Sequence, residues 1–228
     1  YLSNSYQFDS PRAHHLIYLN TARNCRVPTL NERFWNPGGN PDLKNERSTS
    51  LSGGYKLMNG IGSLELAVFY KTYRDLIQWL PLTSQIWTPR NHQSAHNQGL
   101  EIAGELDWIE WLKLTAKWTI QTMEATNSSG EYFTPIYFPE NQLHLAAGIK
   151  YRMMILNYSL QRFPSVYSSP DNTSRLKSFW LHELGIGMES RGWGVRLQLM
   201  NLTQTVYYYY ANYPMPGRQF RLTLERSF

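Results

Sequence analysis

Strict period-two alternation, repeated in segments of about ten residues, constrains this chain more than any other feature. Leu64, Leu66, Val68 and Tyr70 alternate with Glu65, Ala67, Phe69 and Lys71. Leu100, Ile102, Gly104, Leu106 and Trp108 alternate with Glu101, Ala103, Glu105 and Asp107. Leu112, Leu114, Ala116, Trp118 and Ile120 alternate with Lys113, Thr115, Lys117, Thr119 and Gln121. The same pattern covers 143–151, 195–200 and the final stretch "GRQFRLTLERSF", and weaker versions cover 13–22, 47–57, 154–163 and 178–189. That makes about ten strands, with residues 1–8 the tail of an eleventh, each near the length that crosses a bilayer when tilted.

The connections alternate in size. Short ones are expected at 58–62, 109–111, 152–153 and 190–193, and long ones at 23–46, 77–96, 124–140, 164–177 and 202–217. The 12 prolines all fall outside the expected strand interiors, as residues without an N–H should. Aromatics gather beside the short turns: Trp108, Trp111, Tyr151, Trp193 and Phe228. An all-β, antiparallel, up-and-down transmembrane barrel has short turns at one end, long loops at the other and an aromatic girdle. A soluble sandwich with an aromatic core also alternates. In lipid each open edge would strand about ten backbone groups at several kcal/mol apiece, so the sheet is expected to close, on itself or onto further strands.

Composition removes other classes. No run of 18 apolar residues exists, so no helix is expected to cross a membrane. The net charge of +5 is spread without a basic block, which leaves no nucleic-acid arm. Cys25 is the single cysteine, so neither an internal disulfide nor a paired-cysteine metal site is possible. His92 and His96 are four apart, a spacing that serves a metal only on a helix, and they lie in an expected loop. No serine-hydrolase elbow occurs, and no catalytic residue or cofactor is expected.

Residues 20–47, "NTARNCRVPTLNERFWNPGGNPDLKNER", carry a family pattern. Val27-Pro28-Thr29-Leu30-Asn31-Glu32 and Gly39-Asn40-Pro41-Asp42-Leu43-Lys44 resemble the mid-barrel signature of TonB-dependent outer-membrane receptors, with Asn45 where proline is usual. "AVFYKTYRDLIQWL" (67–80), "NQGLEIAGELDW" (97–108) and "MNLTQTVYYYYANYPMPGRQFRLTLERSF" (200–228) resemble further segments in the same order.

The resemblance implies that 1–228 is the C-terminal part, about ten strands, of a 22-stranded barrel in a Gram-negative outer membrane, with the plug domain outside this chain. Phe220, Leu222, Leu224 and Phe228 would form the signal read by the barrel-assembly machinery. Implied partners are the remaining strands and plug, the TonB–ExbB–ExbD system, outer-membrane lipid and a surface lipoprotein. The implied role is energised uptake of a large, scarce ligand without chemistry, cobalamin first and iron–siderophore next. A passive porin or adhesin barrel and a soluble carbohydrate-binding sandwich stay open beside it.

Flat side chains in the long loops are the candidate ligand contacts: Phe34, Trp35, Trp87, Tyr132, Tyr137, Tyr167, Tyr207 and Tyr209. Lys56, Glu65, Lys71, Glu101, Glu105, Lys113, Lys117, Lys150, Arg196 and Arg221 are expected to face the lumen.

Overall fold

A computed structural model describes residues 1–83, 86–127 and 129–226. Its strands are β1 (Leu2–Ser10), β2 (Ala13–Arg26), β3 (Glu46–Asn59), β4 (Gly62–Pro81), β5 (Trp87–Ile109), β6 (Leu112–Thr126), β7 (Tyr132–Phe133), β8 (Asn141–Tyr151), β9 (Met154–Phe163), β10 (Val166–Tyr167), β11 (Arg175–Leu176), β12 (Phe179–Ser190), β13 (Trp193–Met200), β14 (Tyr208–Tyr210), β15 (Tyr213–Pro214) and β16 (Gln219–Arg226). One short helix, α1 (Leu30–Phe34), interrupts them.

A single 12-stranded sheet runs β1-β2-β3-β4-β5-β6-β8-β9-β12-β13-β16, with β7 attached to β6. Every pairing is antiparallel, and β1 and β16 are its edges. The order is a meander of neighbours, the up-and-down topology expected from the alternation. The tail at 1–8 is a full strand, β1.

Two-residue turns close one end, at residues 11–12, 60–61, 110–111, 152–153 and 191–192. Arg191 and Gly192 both have positive φ, 50° and 81°, as a type I′ hairpin turn requires. Trp111, Tyr151 and Trp193 stand exposed at this end. Phe228 lies outside the described residues, as does the side chain of Trp108.

The two faces differ in chemistry. Register rows such as Tyr55–Leu66–Ile102–Trp118 and Ile149–Leu156–Ile186–Leu197–Leu222 line up on one side. Leu64, Leu66, Val68, Leu114, Trp118 and Leu222 there are exposed. Along the membrane-length part of the strands charges concentrate on the other face, where several pair across strands: Lys113 with Glu105 at 2.5 Å, Lys56 with Glu65 at 3.7 Å, and Glu189 with Lys150 and Arg196 at 3.8 and 3.9 Å. Among the described residues no second sheet covers the apolar face, so the sandwich expectation is not met. An apolar exterior around a charged interior is the inversion that lipid imposes.

One boundary departs from expectation. The segment 77–96, expected as a loop, is mostly strand: β4 runs to Pro81 and β5 begins at Trp87. Pro89 accordingly lies within a strand and is fully buried. Before Ser94, β5 pairs only with β4, which leaves one side of the strand open for a residue that cannot donate. Trp87, expected in a loop, opens β5. This two-stranded arm stands above the sheet at the long-loop end, and the other loops pack on it.

Candidate functional site

The long-loop end is held by backbone-directed contacts. In the Thr29-Leu30-Asn31-Glu32 motif, the Thr29 hydroxyl accepts from the Glu32 N–H (3.1 Å) and the Glu32 carboxylate accepts from the Thr29 N–H (2.8 Å). This capping box starts α1. Glu32 also takes Arg26 at 2.9 Å, and Arg26 bridges to Glu46 at 3.2 Å. Burial alone would raise the Glu32 pKa; hydrogen bonds from Thr29 and the Arg26 guanidinium outweigh it and hold the carboxyl below its ordinary range. The rest of the loop lies on the arm: Asn40 donates to the Pro89 carbonyl (3.1 Å), and Asn91 accepts from the Lys44 N–H (2.9 Å). A Cβ at Gly38 would strike the Trp87 carbonyl, so the approach needs glycine there.

Beside the arm opens a cleft of about 450 Å³ lined by Leu80, His92, Asn127, Glu131, Tyr132, Phe133, Pro170, Asp171 and Asn172. Its size falls in the range of small-molecule sites, about 300–1,000 Å³. His92 packs edge-on against Phe133 at 4.9 Å, and its Nε2 meets Gln78 Oε1 at 2.9 Å. Gln78 accepts there, so Nε2 carries the proton. Burial pushes the His92 pKa down and keeps the ring neutral. Asn172 ties two loops together: its amide donates to the Thr134 carbonyl (2.9 Å) and accepts from the Thr134 N–H (3.0 Å). Asp171 accepts from the Thr173 hydroxyl at 2.9 Å, and hydrogen bonds from Ser169 and Thr173 hold its carboxyl below the usual range. The cleft therefore offers an aromatic wall and an amide-and-carboxylate rim, suited to a partly apolar ligand that presents N–H or O–H donors.

The expected ligand contacts divide into four groups. Tyr132, 73% exposed, lines the cleft. Trp87, Tyr137 and Tyr210 form a chain of rings at 6.3 and 5.1 Å, and the Tyr137 N–H donates to the Tyr167 carbonyl at 2.8 Å. Tyr167 carries the Arg175 guanidinium 3.8 Å from its ring centre. Tyr207 and Tyr209 pack with Phe163 and Phe179 in a cluster whose centroids lie 4.8–5.6 Å apart. Burial raises both phenols' pKa, helped by Glu183. Phe34 and Trp35 stand exposed at the end of α1, and no ring contact joins them to the others among the described residues.

Asn127, Glu131, Asp171 and Asn172 were not among the expected contacts. Their signal was the turn chemistry of Asn127-Ser128-Ser129-Gly130 and Pro170-Asp171-Asn172, which marks loop tips. His92 and His96 diverge: His92 is buried, whereas His96 meets Glu124 at 3.3 Å beside the Tyr70 ring. On the outer edge, Phe220, Leu222 and Leu224 of β16 are exposed opposite Leu199, Leu197 and Val195.

A family model described as TonB dependent receptor-like, beta-barrel, matches residues 1–202. A curated relative, the vitamin B12 transporter BtuB of Vibrio vulnificus (strain YJ016), is 31% identical over 101 residues, covering 43% of this chain and 16% of the relative. Solved structures superpose over nearly the whole chain. The copper transporter OprC gives a TM-score of 0.76 at 15% identity, covering 98% of this chain and 39% of the other. The ferric enterobactin receptor PfeA of Pseudomonas aeruginosa gives 0.72 at 17%, covering 99% and 39%. The chain thus spans well under half the length of the proteins it matches.

Proposed function

The chain belongs to the TonB dependent receptor-like β-barrel family, and on that premise we propose that it forms part of an outer-membrane receptor that takes up a large, scarce ligand with energy delivered through TonB. The cleft beside the β4–β5 arm carries this reading: an aromatic wall and a hydrogen-bonding rim sit at the end where the long loops converge. Nothing in that cleft needs to do chemistry. Its groups bind, and the neutral His92 ring, fixed by Gln78, shapes the wall.

Cobalamin is the favoured ligand, supported by the BtuB relative and by a rim able to accept from a ligand rich in amide donors. An iron–siderophore complex is second, supported by the likeness in fold to PfeA. Passage then requires the plug and the TonB–ExbB–ExbD system, and a surface lipoprotein is a further partner of the loop face. Phe220, Leu222 and Leu224 act as the β-signal for barrel assembly.

The test is binding by the protein purified from outer membranes, with cyanocobalamin and a ferric catecholate siderophore titrated separately. Cobalamin binding in the nanomolar range, with uptake abolished in cells lacking TonB, is the expected result. Saturable uptake that persists without TonB would replace this reading with a passive pore.

A further inference from the structure

The exposed apolar face changes character at its upper end. On β4, the residues that follow Leu66, Val68 and Tyr70 in the same phase are Thr72 and Arg74. On β3 the phase of Leu51 continues to Thr49 and Arg47; on β2 that of Leu19 continues through Thr21 to Arg23 and Cys25. Register joins these into two rows, Arg23–Thr49–Thr72 and, above it, Cys25–Arg47–Arg74. The three arginines are exposed and line one concavity of about 510 Å³ with Thr49, Thr72 and Cys25.

Four cations of the inner face, Lys56, Lys113, Lys150 and Arg196, each have a carboxylate within 4.0 Å. Among the described residues no carboxylate comes within that distance of Arg23, Arg47 or Arg74. Arg47 lies directly across from Arg74, and like charges opposed on neighbouring strands destabilise a sheet. An anion seated among the three would relieve that repulsion, and guanidinium forks match phosphate oxygens.

Height selects the kind of anion. Arg74 lies roughly 13 residues above the Gly60–Ile61 turn, which at ~3.3 Å per residue and a tilt near ~40° is roughly 33 Å. Tyr70 is roughly 23 Å up on the same arithmetic, near the top of an apolar band ~25 Å tall. The arginines therefore sit just above the hydrocarbon, at the level of outer-leaflet headgroups. Directly below them lie the exposed Leu19, Leu51, Val68 and Tyr70. The arginine rows are followed downward by the row Thr21–Leu51–Tyr70 and then by Leu19–Gly53–Val68, so an exposed apolar surface begins directly beneath the guanidiniums.

We infer that Arg23, Arg47 and Arg74 form a docking site for a phosphorylated, multiply acylated lipid of the outer leaflet, with phosphate on the guanidiniums and acyl chains against the exposed Leu19, Leu51 and Val68. This rests on the outer-membrane placement proposed above. A soluble phosphate would use the arginines but not the apolar surface beneath them.

The test is the lipid that stays with the protein purified from outer membranes in mild detergent, quantified by mass spectrometry. The wild type is expected to retain a phosphorylated acyl-disaccharide lipid, and R23Q/R47Q/R74Q to lose it at least about tenfold, as the removal of charge-assisted hydrogen bonds predicts. R23K/R47K/R74K keeps the charge but loses the guanidinium forks and should retain lipid between the wild type and the triple Gln variant; R191Q, at the opposite end, should change nothing. In nanodiscs, a bisphosphorylated acyl-disaccharide lipid should bind the wild type and its dephosphorylated form should not. Equal retention by wild type and the triple Gln variant, equal binding of the dephosphorylated lipid, or displacement by millimolar inorganic phosphate would each overturn the proposal. Wild-type protein that fractionates with the outer membrane and imports its ligand, yet retains no such lipid, sinks this inference alone. Protein found outside that membrane sinks both readings.

Discussion

The Asn172 side chain closes a two-bond ring with the backbone of Thr134, 38 residues away, donating to its carbonyl at 2.9 Å and accepting from its N–H at 3.0 Å. One amide thus satisfies both polar groups of a residue in another loop, and it forms part of the cleft wall. Asn172→Gly suits the φ of 56° at this position but removes the amide. We predict that it frees the Thr134 N–H, speeds hydrogen exchange across 131–136, and weakens ligand binding by roughly tenfold, as the loss of about 1–2 kcal/mol of local order implies. Asn172→Asp keeps the acceptor and should fall between. Unchanged exchange at Thr134 would show that the loops are held by other contacts.

Gly54 and Tyr18 occupy facing positions on β3 and β2. A Cβ on Gly54 would lie 2.5 Å from the Tyr18 ring, and the ring's position lets its hydroxyl donate to Glu65 at 2.8 Å. Gly54→Val should drive the ring aside, break that bond and destabilise the barrel by about 1–3 kcal/mol. The readout is the temperature at which heat-modifiable gel mobility is lost. Adding Tyr18→Ser should restore much of the loss, because the obstruction goes with the ring. A double variant no better than Gly54→Val alone would refute the pairing.

What the sequence made legible, and what it hid, follows the number of faces each strand buries. Wherever one face meets lipid and the other the lumen, apolar and polar residues alternate and the strand is readable, as in 64–71 or 112–121. On the arm that rule lapses. Ile77 and His92 are buried, Ala95 joins Met123 and Ala125 in a small core packed by Tyr73, Leu76, Phe133 and Phe138, and loops cover what lumen or lipid would otherwise touch. Leu76-Ile77-Gln78-Trp79-Leu80 therefore has no period, and Pro89 looked like a break. The rings of the site were visible as loop aromatics. Their division was not, because what separates Tyr132 in the cleft from Tyr209 in a packed cluster is contact with residues far away in sequence, such as Phe163 and Phe179.

Glu32 gives the α1 loop a defined response to acid. Its carboxyl, ordinarily near 4.5, is held lower in the folded protein. The stabilisation is therefore complete above 4.5 and is lost as pH falls through the folded value. Below that range the capping box and the Arg26 bridge both fail, and the loop from 27 to 46 should come off the arm. Hydrogen exchange corrected for its intrinsic pH dependence should show protection at Glu32 and Asn40 collapsing only in acid. Glu32→Gln should lower that protection already at neutral pH and flatten the acid response. A midpoint above 4.5 would contradict the assignment.

Tyr132 and Tyr209 distinguish a ring placed to meet ligand in the proposed function from one that holds a loop. Tyr132 is exposed at the mouth of the cleft, so truncating it costs the free protein little. Tyr209 makes edge contacts with Phe163 at 5.2 Å, Phe179 at 5.6 Å and Tyr207 at 5.5 Å, each such pair contributing about 0.5–1.5 kcal/mol. Tyr132→Ala should therefore raise the ligand Kd by roughly tenfold with hydrogen exchange of the unliganded protein unchanged. Tyr209→Ala should loosen residues 201–218 before any ligand is added, and weaken binding only through that disorder. The two are told apart by exchange in the unliganded state and by calorimetry of binding. Tight binding by the Tyr132 variant, beside a Tyr209 variant with intact protection and lost affinity, would invert the assignment and move the site to the Phe163–Phe179 cluster.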